Sequence, residues 1–171
     1  MDLFGTLTDA DRGGAVISPC GLYRYRLTRT WDRELRPAAF VMLNPSTADA
    51  TVDDPTIRRC VGFAKREGCG GIVVVNLFAL RSTDPAGLLA AADPVGPDND
   101  RHIREAAEQC HPVIAAWGAH GDHDLRNLHV RDMLGEISVG VMCLGTTKGG
   151  HPRHPLYVKG DAPLVPWGLP G

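Results

Sequence analysis

Asn44-Pro45-Ser46, Asn76-Leu77-Phe78, Trp117-Gly118 and a loop over 146–154 each follow a short apolar run. An asparagine so placed carries two donors and an acceptor, enough to orient a water or read the edge of a planar ligand. Phe78 and Trp117 present flat rings for stacking. The loop holds Thr146, Thr147, Lys148, Gly149, Gly150, His151, Arg153 and His154. Its hydroxyl, cationic and backbone N–H donors suit a phosphate or a developing anion. Pro152 and Pro155 restrict the backbone around both histidines. Each group also has a plainer reading. Asn44 can bond its own turn, Asn76 can tie neighbouring loops, and Phe78 can belong to the core.

Other clusters say less. Ser46, Thr47, Asp49, Asp53 and Asp54 crowd one loop, where carboxylates can activate water, hold Mg²⁺ or act as a general base. Asp54 is accounted for as a helix N-cap and Asp49 by loop chemistry, which leaves Asp53 unassigned. His120 and His123 supply only two ligands at i, i+3 spacing, so no metal centre is expected. The Gly-x-Ser-x-Gly elbow, the Walker loop and the dinucleotide fingerprint are missing, which removes support for triad hydrolase, NTPase and NAD chemistry. No cofactor is expected.

The elements that must carry these groups alternate. Residues 38–43, 71–75, 113–117 and 139–144 are apolar strand-like runs. Between them lie helical patterns near 54–68, 86–91, 98–110 and 124–137. Asp54-Pro55 is an N-cap followed by proline at the first helical position. This order predicts a three-layer α/β/α domain around a mostly parallel four-stranded sheet, with ligands at the carboxyl ends of the strands. Residues 22–30 alternate and read as an antiparallel or edge strand, with Tyr23, Tyr25 and Leu27 on one face and a solvated face of Arg24, Arg26 and Thr28 on the other. The expected organisation is a loose segment 1–14, a single α/β domain over 15–160, and a proline-rich tail 161–171 lying across the surface.

With 171 residues, 43% hydrophobic content and a formal net charge of −2, the chain suits one core. It lacks the overall basic field that drives nonspecific nucleic-acid binding. Five scattered cysteines without a Cys-x-x-Cys pair fit reduced thiols. No leader and no membrane-length apolar run is visible, so a cytoplasmic protein is expected.

The stretches 41–49, 53–57, 75–81 and 150–157 resemble an uncharacterised bacterial and phage family, domain-of-unknown-function family 1643. More distantly, the strand-end motifs are similar to those of the uracil-DNA glycosylase superfamily. That likeness implies its fold, with Asn44 positioning the attacking water, Asn76 reading a base edge, and His151 or His154 stabilising the departing base anion. Pro45, Ser46, Phe78, Trp117, Thr146, Lys148 and Arg153 would contact the ligand. It implies a nucleobase, nucleotide or nucleic acid as partner. The Asp-Pro-Tyr-His form of the first motif is absent, so the likeness is to the asparagine-type branch. A noncatalytic nucleotide or nucleic-acid binding module and a metal-dependent phosphohydrolase using Asp49, Asp53 and the histidines are the alternatives.

Overall fold

The computed structural model describes residues 12–46, 48–137 and 139–168, and these form a seven-stranded mixed sheet with helices on both faces. Its strands are β1 (Gly13–Ile17), β2 (Arg24–Thr30), β3 (Pro37–Met42), β4 (Gly71–Asn76), β5 (Val113–Ala115), β6 (Val141–Cys143) and β7 (Val165–Pro166), in the order β1-β2-β4-β3-β5-β6-β7. β4, β3, β5 and β6 run parallel to one another, while β1 and β2 on one side and β7 on the other pair antiparallel. The sheet is therefore wider and more mixed than the pattern of apolar runs indicates.

The central strands are rich in small and branched apolar residues and buried along their length, as strands covered on both sides must be. Alternation then divides the core. Val73, Val75, Val41 and Ala115 pack with Ile103 and Ala106 of α3 (Asn99–Gln109) and Val130 and Leu134 of α4 (Arg126–Glu136). Val74, Phe40, Met42 and Ile114 face Ile57, Cys60 and Phe63 of α1 (Pro55–Arg66). A short helix, α2 (Pro85–Ala90), starts at the Asp84 cap. None of the helices among the described residues is long and apolar enough to cross a membrane.

Four expectations need correction. The 22–30 strand is antiparallel to both neighbours, one of the two readings offered for it, and only the edge position fails, because β1 pairs with its outer side. Residues 1–11 of the expected loose segment lie outside the described residues, and Gly13-Gly14 open β1. The tail contributes β7, and Trp167 is buried edge-on against Trp117 at a centroid distance of 4.9 Å. Finally, α4 starts at Arg126 rather than 124, since Asp124 and Leu125 take left-handed φ of 51° and 57° and close a separate 3-10 turn.

The fifth difference decides what faces the site. Between β1 and β2 the register jumps, Val16 pairing with Arg26 but Ile17 with Arg24, so Tyr25 has no partner. This is a β-bulge, which re-aims side chains. Tyr25 stacks on His102 of α3 at 5.0 Å, and Arg26 Nη2 reaches Gln109 Oε1 of the same helix at 3.1 Å. Two consecutive side chains thus share a face, and Arg24 turns to the opposite one. Arg24 is 3% exposed, not solvated.

Candidate functional site

A cavity of about 410 Å³ opens at the carboxyl ends of β3, β4 and β5, a volume in the range of small-molecule sites (roughly 300–1,000 Å³). Of the residues expected from sequence, Asn44, Ser46, Asn76, Trp117, Arg153 and His154 line it. Pro45, Phe78, Thr146, Lys148 and His151 do not. Phe78 is 1% exposed in the core beside Trp117, so the apolar strand face wins it.

Asn44 follows β3 and precedes Pro45, which favours extended backbone. Its Nδ2 donates to the Ser82 carbonyl at 2.7 Å and the Pro45 carbonyl at 3.1 Å. With the nitrogen committed, Oδ1 is the end that can accept from a water. Ser46 donates to Asp54, whose other oxygen caps α1 by accepting from Ile57 N–H at 2.8 Å. Asp54 therefore builds the wall and caps the helix together.

Asn76 ends β4, paired with Met42 of β3. It is 1% exposed, and both Nδ2 and Oδ1 are buried without a partner. Its backbone is held from behind. Asn99 Nδ2 donates to the Asn76 carbonyl at 2.8 Å and the Leu77 carbonyl at 3.1 Å, and Arg126 Nε donates to Leu77 O at 2.8 Å. Arg126 Nη2 also meets Asp100 at 2.6 Å. Against the burial that raises it, the Arg126 hydrogen bond and charge, with His129 beyond, hold the Asp100 carboxyl below its usual range. The strand end is thus clamped while the amide stays without a partner.

Trp117, after β5, is fully buried with its Nε1 unpartnered. Gly121 lies against it so closely that a Cβ there would sit 2.5 Å from the indole Cδ1. The loop 146–154 is anchored beside it by Gly118 N–H donating to Pro152 O at 2.8 Å. Arg153 Nε donates to Thr146 O at 3.0 Å and reaches the cavity rim.

The two histidines part company here. The His151 ring packs by Gly149, with its Nδ1 buried and unpartnered, away from the cavity lining. His154 lines the cavity and caps the 3-10 turn Pro155–Tyr157, its Nδ1 accepting from Leu156 N–H at 3.2 Å. α1 fixes that turn, since Arg59 donates to the carbonyls of Pro155, at 3.1 Å, and Val158. An imidazole that accepts at Nδ1 is neutral with its proton on Nε2, a donor. Burial lowers the His154 pKa from 6.5, and Asp54 only partly offsets this. The folded state then binds the proton less tightly than the unfolded chain, so this stability is fully present above about pH 6.5 and lost as pH falls below it. Thermal melts at pH 7.5 and 5.5 should show wild type losing more stability than His154→Gln, which cannot titrate. Equal losses would exclude His154 as the group responsible.

The loop carboxylates have other partners. Asp53 accepts from Arg29 Nε at 2.7 Å, and Asp49 accepts from Thr51 and Val52 N–H at 2.8 and 2.7 Å. Backbone donors lower the Asp49 pKa. Neither carboxylate lines the cavity, and among the described residues no three His, Cys, Asp or Glu gather to hold a metal ion. His120 and the exposed Tyr157 line the cavity, as does Arg24. Pattern reading did not place Tyr157 or Arg24 there. The bulge hides Arg24 from any alternation argument, whereas Tyr157, three residues after His154, had a readable neighbour.

The molecule is thus an α/β protein with a cavity at its strand ends, whose mostly apolar wall carries two asparagines, a neutral histidine and a buried guanidinium. Residues 24–156 match the family described as protein of unknown function DUF1643, and the chain belongs to that family. No curated protein and no solved structure matches it.

Proposed function

We propose that the cavity is a glycosylase-like site that recognises a nucleobase-containing ligand and cleaves its N-glycosidic bond. The observation that carries this reading is Asn76, whose amide nitrogen and oxygen are both buried at the cavity wall without partners. Such a group costs free energy unless a ligand supplies an acceptor and a donor side by side, as a base edge does. Asn44 and His154 in the same wall support the rest. A water held on Asn44 Oδ1 attacks C1′ as the bond to the base breaks. The base leaves with the bonding electrons, His154 Nε2–H stabilises the developing anion, and the proton lost by the water ends on the base. The uracil-DNA-glycosylase type of α/β/α fold, suggested by the order of the strand-end motifs, belongs to the same reading. So does a cytoplasmic setting, which the five free thiols suit.

The test is release of free base, followed by chromatography, from modified and deaminated nucleosides, nucleotides and oligonucleotides. Release by wild type that falls by about a hundredfold in a folded Asn44→Ala variant supports the reading. Saturable binding without release from any substrate would instead make the protein a noncatalytic nucleotide-binding module.

A further inference from the structure

We propose that the cavity contains a built subsite for an anionic oxygen group, a phosphate, with Arg24 as its cation. The β-bulge carries the argument. Regular alternation would send Arg24 to the α3 side with Arg26, and only the unmatched Tyr25 turns it toward the cavity between α1 and the strand ends. There the guanidinium is 3% exposed, donates through Nη1 to the Ala48 carbonyl, and leaves Nε buried with no partner. Desolvation brings its pKa down to about 10, so it stays charged at neutral pH.

A buried cation is costly without a counter-ion, and none stands at contact distance among the described residues. The charges around Arg24 are Asp54, Asp49, Arg81 and Arg29. Asp54 already accepts from Ile57 N–H and Ser46, Asp49 is bound by its own loop, and Arg29 is committed to Asp53. Arg81 repels. Arg153 at the rim adds a second guanidinium on the cavity surface. Planar guanidinium groups match phosphate oxygens in geometry as well as charge. The anion subsite stands on these contacts alone. Its assignment to the phosphate of a nucleotide rests on the nucleobase reading above.

Calorimetric titration of the intact protein with inorganic phosphate, nucleoside monophosphates and the matching nucleosides separates the two. The expected result is that a monophosphate binds at least about tenfold more tightly than its nucleoside. Arg24→Gln should bring the two within about twofold, and Arg24→Lys should retain part of the preference. Equal affinities in wild type, or a preference that survives in Arg24→Gln, would overturn the subsite. The wild-type comparison decides alone if the glutamine variant does not fold. Binding of inorganic phosphate with no affinity for nucleosides or nucleotides would support the subsite and sink the nucleobase reading. Nucleosides binding as well as their monophosphates would do the reverse, and no binding at all would end both.

Discussion

Asn76→Leu should make the protein more stable while cutting ligand binding or base release by about a hundredfold. The two effects share one cause. In the wild type a strand-end amide is buried with both polar atoms unpartnered, next to Val74 and Met42. Burying such atoms costs about 1–3 kcal/mol, and an apolar side chain of similar size removes that cost. For a chain of this length each kcal/mol moves the melting temperature by about 2–4 °C. Thermal melts and the release assay on one preparation check both halves. A leucine variant that melts lower than wild type would mean that Asn76 serves the fold, and the functional reading would lose its main support.

Arg126→Ala should cost about 2–4 kcal/mol. The guanidinium is almost fully buried and holds both the Leu77 carbonyl and Asp100, so truncation removes one of the two donors to that carbonyl and leaves the half-exposed carboxylate with His129 alone. Denaturant unfolding measures the loss. The Asp100 share has a definite pH signature. Its folded pKa is depressed, so this share is present above the ordinary carboxylate range near pH 4 and is lost as pH falls through the lower folded value. The gap between wild type and variant should narrow toward pH 3, and a gap that stays constant would mean that the ion pair contributes nothing. Because Leu77 follows Asn76 directly, ligand affinity should fall as well. Arg126→Lys, which keeps the charge but not the fork, should recover only part of each loss.

Much of the scaffold could be read from local chemistry. Val73, Val74 and Val75 in an unbroken apolar run, and the cap-and-proline pair Asp54-Pro55, each specify their element with little outside help. What escaped depends on distant partners. β7 is two residues long and includes a proline, so it exists only because β6 offers an edge. The choice between His151 and His154 is made by Arg59 on α1, more than ninety residues earlier. Arg24 is the clearest case, since a single unmatched residue in β2 reverses the face that every periodic reading assigns to it. The site residues visible in sequence were those at strand ends, where chain direction alone decides the address. The cavity's buried cation was invisible because a register shift decides its direction.

The edge-on contact between Trp117 and Trp167 bears on the order in which the site is made. Trp117 is wedged between Gly121 on one side and an indole fifty residues later in the chain, which is itself pinned by its Nε1–H donating to the Gly150 carbonyl at 3.3 Å. Strands β1 to β6 all precede residue 167 in the chain, and β7 pairs with β6 after them. Until that last short strand docks, the Trp117 wall of the cavity lacks its backing. Completion of the cavity wall is thus tied to the final strand of the sheet.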